Sequence, residues 1–260
     1  MDLGTPTIRR FGDLRVEIHD DAAAAGRAAA ATAAAALRDA IARAGRARAI
    51  FATGTSQLAF FAALREVGDV AWGKVEAFHM DEYLGLDEAH PASFRGFLRR
   101  ELVAPLGIGR FHGIDGDSGR ADATIAAYAA RLREAPIDLC CMGIGENGHL
   151  AFNDPPFARF DDPEPARVVR LDETSRLQQV GEGHFDELAA VPTHAITLTI
   201  PTLLDAGRVN VVAPEERKAQ AVRAALEGPV DHGCPASVLR RAPHATAYLD
   251  RASASRLSPG

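Results

Sequence analysis

Hydrophobic positions change their period several times along the chain. Leu14, Val16 and Ile18 alternate with Arg15, Glu17 and His19, the period of two expected of a strand with one buried face. Behind Asp20 and Asp21, either of which suits a helix N-cap, the alanine-rich run 22–36 predicts a long helix. The apolar run 48–53 then ends in Thr53-Gly54-Thr55-Ser56, and helical spacing resumes over 57–67. This order recurs. Strand-like runs at 75–80 and 137–143 lead into Asp81 and into a glycine-rich segment, and helices are expected over 93–102 and 122–133. Runs 194–200, 209–213 and 246–250 read as further strands, with a helix over 215–227. Strands alternating with helices at this spacing predict βαβ units: an α/β fold with a mostly parallel sheet and helices on both faces. A single domain over 1–260 is expected, with its core at about 11–250. The proline-rich stretch 153–167 exceeds an ordinary connection and reads as a surface excursion or a lid.

In such sheets, ligands bind just beyond the carboxyl ends of the strands. Four segments fall there: Thr53–Ser56, 81–83, 143–154 and 214–218, and the fold predicts that they converge on one crevice. Thr53, Gly54, Thr55 and Ser56 put a glycine and hydroxyls at a helix N-terminus, which suits either an anion or a plain cap. Neither a P-loop nor an elbow of the G-x-S-x-G type is present. Residues 143–149 approach a dinucleotide fingerprint, but no acid-ended strand follows about twenty residues on, and Pro155 stops any helix early. His149 behind this hinge is either an acid or base oriented by Asn147 or Asp154, or a structural histidine. Asp81 and Glu82 are adjacent on a strand, so only one of them can face the crevice; a turn acid or a helix cap is the alternative.

Composition narrows the field. With 47% apolar and 25% charged residues the chain is an ordinary globular one, and a net charge of −6 with no Lys/Arg stripe speaks against nucleic-acid binding. Cys140 and Cys141 are adjacent and Cys234 is far away, so neither a disulfide framework nor a cysteine zinc site is expected; small buried hydrophobes fit better. No histidine pair has zinc spacing, and no metal is expected. The polar stretch 1–10 lacks the apolar region of a signal peptide, and Gly26 and Arg27 interrupt the alanine helix. A cytoplasmic address with no membrane contact is therefore expected.

Two longer motifs point to a family. His79-Met80-Asp81-Glu82-Tyr83-Leu84-Gly85-Leu86, with His90-Pro91-Ala92-Ser93 behind it, resembles the MDEY-GL…HP-S segment of the glucosamine-6-phosphate deaminases. Gly143-Ile144-Gly145-Glu146-Asn147-Gly148-His149-Leu150-Ala151-Phe152-Asn153-Asp154-Pro155 is similar to their GHIAFNEP segment. Val191-Pro192, residues 195–205, Lys218-Ala219, Glu227-Gly228 and Pro235-Ala236-Ser237 extend the resemblance from about Phe51 to Asp250. It implies a single modified Rossmann-like domain, no cofactor, a sugar-phosphate substrate, and conversion of glucosamine 6-phosphate and water to fructose 6-phosphate and ammonia. By position, Asp81 would move the proton between C2 and C1, and His149, oriented by Asn147 and Asp154, would help to open the pyranose ring. Thr53–Ser56 and Lys218 would hold the phosphate, and a homo-oligomer is left open. The chain departs from the family pattern at four places. Asn147 stands where Asp is common and Asp154 where Glu is usual; Gly54-Thr55-Ser56-Gln57 replaces G-G-T-P, and residues 178–185 carry no Arg. Two other readings compete: a 6-phosphogluconolactonase, in which His149 would activate water, and a sugar-phosphate-binding protein without catalysis.

Overall fold

The computed structural model describes residues 5–259 except Pro156 and Glu182, with the side chains of Thr174 and Gln178 also outside the description. The first four residues of the polar N-terminal stretch and one proline of 153–167 lie outside the described residues.

The chain starts with a hairpin, β1 (Thr7–Phe11) antiparallel to β2 (Leu14–His19), and then enters α1 (Ala22–Ala44). Asp21 is the N-cap and accepts from the Ala24 N–H at 2.7 Å, while Gly45 ends the helix in the left-handed region. Next come β3 (Ala47–Phe51), α2 (Leu58–Glu66), β4 (Val75–His79) and β5 (Asp81–Tyr83). A helical stretch runs through α3 (Phe94–Leu98), a π turn at Arg99–Val103 and α4 (Ala104–Leu106), then β6 (Arg110–His112) and α5 (Ala121–Arg133). The rest comprises β7 (Leu139–Met142), β8 (Ala166–Arg170), α6 (Glu173–Gly181), β9 (His194–Leu198), α7 (Ile200–Leu204), β10 (Val209–Val212), α8 (Ala219–Glu227) and β11 (Ala245–Asp250).

Eight strands form one sheet in the order β1-β2-β11-β10-β7-β3-β4-β6, parallel throughout except for the β1–β2 hairpin. Its central strands are buried on both faces, which explains why 137–143 reads as an apolar run and why Glu76 and His79 of the strand-like run 75–80 are buried too. Period two then sorts the side chains. Ala49, Phe51, Cys141, Val212 and Tyr248 pack against α1 and α2, whereas Ile50, Cys140, Val211 and Ala247 pack against α5, α7 and α8. On its sheet-facing side α1 buries Ala25, Ala29, Ala30, Ala33, Ala34 and Leu37; at about 0.8 kcal/mol per methyl it docks by number of contacts, not by bulk. Helices therefore cover both faces of a largely parallel sheet. Among the described residues no helix is long and apolar enough to cross a membrane.

One strand departs from the expected grammar. At Met80 the chain leaves the large sheet, and β5, β9 and β8 build a second, antiparallel sheet. The run at 194–200 thus pairs with Asp81–Tyr83 and not with the parallel strands; a buried apolar run fits either partner equally well, so its composition cannot choose. Residues 153–167 pass through turns into β8, and none of their described residues lines the crevice. Pro91, Ala92, Phe94 and Phe97, with Ser175, Gln179 and His184, lie against the crevice instead.

Candidate active site

The four strand-end segments do meet in one pocket. Thr53, Gly54, Thr55 and Ser56 line one end, with Arg217 and Lys218; Asp81 lines the wall beside Met80; Gly143, Gly145 and His149 line another. Ser175, Gln179 and His184 border it from α6 and the segment after it, and Phe94, Phe97 and Phe152 supply aromatic surface. Asn147 and Asp154 are not at the pocket wall but directly behind His149.

Asp81 owes its place to the change of sheet. It is the first residue of β5, pairs with Thr197 of β9, and is almost completely buried. Burial pushes its carboxyl well above the usual carboxylate range, and the negative charges of Glu82 and Asp154 push it further. Glu82 points the other way. One oxygen accepts from the Tyr83 and Phe94 N–H groups at 3.0 and 3.1 Å, the other from Ser93 Oγ and the Arg95 N–H at 3.0 and 2.9 Å. Ser93 is the N-cap of α3, accepting from the Gly96 N–H at 3.2 Å, and Glu82 adds acceptors that tie this helix start to β5; burial raises the Glu82 pKa against the pull of those four donors. Arg95 completes the mount, reaching Glu82, Asp115 and Asp117. Beneath Asp81, the buried ring of His79 accepts from the Ile114 N–H at 2.7 Å; burial, with Arg95 and Arg99 nearby, lowers its pKa to about 3, so it is neutral.

His149 sits on the glycine hinge. Its N–H donates to Asn147 Oδ1 at 3.0 Å, and its Nδ1 lies 2.8 Å from Asp154 Oδ1, the ring turned off the line of an ideal hydrogen bond. The shorter aspartate side chain therefore does reach the histidine. Asp154 Oδ1 also accepts from Asn147 Nδ2 at 3.0 Å and from Ser175 Oγ at 2.8 Å. Burial alone would raise the Asp154 pKa, but these donors and His149 hold it below the usual value. Burial thus raises the Asp81 carboxyl, whereas the donors around Asp154 reverse the effect of its burial.

At the opposite end, Gly54 has φ +106° and begins the 3₁₀ turn Thr55–Gln57 that leads into α2. Lys218 ends the matching turn Glu216–Lys218 before α8 and is almost fully buried. Two helix starts with their dipoles, the hydroxyls of Thr55 and Ser56 and the cations Arg217 and Lys218 make this end suited to an anion. Arg217 was not singled out by the sequence, although it directly precedes Lys218; Ser175, Gln179 and His184 carried no local signal at all. Among the described residues no group of three or more His, Cys, Asp or Glu converges as metal ligands would.

Comparison with known proteins agrees with this architecture. The family described as glucosamine-6-phosphate isomerases/6-phosphogluconolactonase matches residues 20–248. A protein of Streptomyces coelicolor named glucosamine-6-phosphate deaminase is 39% identical over 213 residues, covering 79% of this chain and 80% of the relative. One of the same name from Exiguobacterium sibiricum is 36% identical over 207 residues, covering 80% of each. A solved structure described as a monomeric glucosamine-6-phosphate deaminase superposes with a TM-score of 0.83 at 26% identity, covering 92% of this chain and 98% of that one. A 6-phosphogluconolactonase from Shewanella baltica superposes with a TM-score of 0.73 at 19% identity over 90% of this chain and 97% of its own, a likeness of fold.

Proposed function

The chain belongs to the glucosamine-6-phosphate isomerase/6-phosphogluconolactonase family, and on that premise we propose that it is a glucosamine-6-phosphate deaminase, converting glucosamine 6-phosphate and water to fructose 6-phosphate and ammonia. The observation that carries this reading is a buried, pocket-facing carboxylate, Asp81, set in one cavity with a buttressed histidine and a cationic end. An aldose–ketose shift needs those parts: a base beside the α-carbon, a separate proton carrier at the ring oxygen, and a handle that holds the substrate still.

In this reading the phosphate occupies the Thr53–Ser56 and Lys218 end, which orients the sugar along the pocket. His149, held by Asp154 and Asn147, carries the proton that opens the pyranose ring. Asp81 then takes the proton from C2 while O1 gains one, giving the enolamine, and returns it at C1 as the nitrogen gives up a proton; the resulting C2 imine adds water and expels ammonia, leaving the C2 ketone. Its raised pKa serves this step twice. A more basic carboxylate is a better proton acceptor once ionised, and the substrate's own ammonium at C2 favours the ionised form when it enters. The chemistry asks nothing of a redox group.

The test is ammonia release across a panel of 2-amino-2-deoxy sugar phosphates, run beside 6-phosphogluconolactone hydrolysis. Turnover of glucosamine 6-phosphate that falls by about 1,000-fold or more in Asp81→Asn is expected, the order of a lost general base. Full activity of that variant, or lactone hydrolysis without ammonia release, would overturn the proposal.

A further inference from the structure

We infer that Arg217 is a substrate-recognition residue, closing the phosphate end of the pocket and binding the phosphomonoester dianion alongside Thr53–Ser56 and Lys218. This deepens the phosphosugar reading above and rests on it only for the identity of the sugar.

The first support is a repeated piece of backbone. At the end of β3, Gly54 (φ +106°, ψ 158°) starts the turn Thr55–Gln57 and α2 follows; at the end of β10, Glu215 (φ +83°, ψ 142°) starts the turn Glu216–Lys218 and α8 follows. The closing residues, Gln57 and Lys218, share φ −89° with ψ −12° and −10°. Ser56 and Arg217 are therefore equivalent positions of two matching turns, and both line the pocket. The guanidinium bridges the turns: Nη2 donates to Thr55 Oγ1 at 3.0 Å, Nη1 to Glu146 Oε1 at 3.1 Å and Nε to Glu215 Oε2 at 2.6 Å.

Glu215 is the second support. It holds a conformation that glycine adopts freely and other residues adopt at a cost, and its N–H is tied to both oxygens of Asp250 at 3.2 and 3.1 Å. That strained residue presents its carboxylate to Arg217 Nε, which fixes the direction of the arginine. Chemistry is the third. A planar guanidinium matches two phosphate oxygens at once, whereas Lys218 offers a point charge. Arg217 is the one arginine among the described lining residues. Glu215 and Glu146 both pair with the guanidinium, and a phosphate dianion, with about −1.5 to −2 charges, competes with the part-exposed Glu146 for Nη1 while Glu215 keeps the side chain aimed.

Calorimetric titration of the full chain with inorganic phosphate tests this directly, because it needs no turnover. Arg217→Gln should weaken phosphate binding by about 10-fold, the order of one charge-assisted contact at a part-exposed site. It should raise KM for glucosamine 6-phosphate by a similar factor, with kcat changed by less than about threefold. Arg217→Lys should recover only part of the affinity, and Arg223→Gln, on the exposed side of α8, should leave both constants unchanged. Phosphate affinity of a folded Arg217→Gln protein within about twofold of the wild type, or no phosphate binding by the wild type, overturns the assignment. If phosphate binding is lost in the variant while the wild type releases no ammonia from any amino sugar phosphate, the deaminase reading falls and the Arg217 assignment stands.

Discussion

Gly145→Ala should separate catalysis from stability in this protein. The backbone at Gly145 lies outside the left-handed region, so alanine is tolerated there conformationally. Its added Cβ, however, would overlap Nε2, Cε1 and Cδ2 of the His149 ring. To restore ordinary carbon contacts of about 3.5 Å the ring must retreat by more than about 1 Å. A retreat of that size disturbs the 2.8 Å His149 Nδ1–Asp154 Oδ1 approach that holds the ring. The fold has little to lose. Asp154 keeps its bonds from Asn147 and Ser175, and the imidazole, 17% exposed, can swing into the pocket, so a stability change of at most about 1–2 kcal/mol is expected. The site has much to lose, since misplacing a catalytic group by about 1 Å costs on the order of 100-fold in rate. Thermal melting beside ammonia-release kinetics gives both quantities on one sample. A variant with kcat/KM within about fivefold of the wild type would show that the ring position is unimportant. One that fails to fold would show that the ring cannot yield. Either result refutes this account.

Two further consequences concern the carboxylates around β5. Asp81 has a folded-state pKa raised by burial, so between its ordinary value of 3.8 and that raised value the unfolded chain binds fewer protons; the contribution of Asp81 to stability therefore falls as pH rises through that window. Asp81→Asn should melt higher than the wild type at neutral pH, with the gain shrinking toward pH 4, and an equal or lower melting temperature at pH 7 would contradict the buried-acid picture. Glu82→Ala removes the acceptor of three backbone N–H groups and one hydroxyl in a fully buried place, and should cost about 3–5 kcal/mol in a denaturant titration; a loss below about 1 kcal/mol would show that α3 does not depend on Glu82.

Local physics made much of this protein legible in the sequence. Period-two and helical spacing located β2, β3, β4, β7, β10 and β11, and the helices α1, α2, α5 and α8, because each depends on neighbours a few residues away. The short β6 and β8, both with exposed positions, gave no comparable signal, and α6 has too little apolar face to stand out. The same local reasoning separated Asp81 from Glu82, since alternation along a strand decides sides without tertiary information. Convergence of the strand-end segments followed from the parallel topology, because every βα connection emerges on the same edge.

Tertiary structure alone decided the remainder. Whether the run at 194–200 joins the large sheet or pairs with Asp81–Tyr83 depends on which edge is open when the chain returns, and a buried apolar run fits both. That choice is what seats Asp81 at the pocket wall. The joining of Ser175 to Asp154 across 21 residues, and of Arg217 to Thr55 across 162, rests on through-space distances that no periodicity encodes. Even the left-handed Glu215 was invisible beforehand: glutamate carries no preference for that region, and only the packing around Asp250 and Arg217 holds it there. The chain thus wrote its elements and its chemistry-bearing ends locally, while the contacts that aim those ends at one another exist only in the folded molecule.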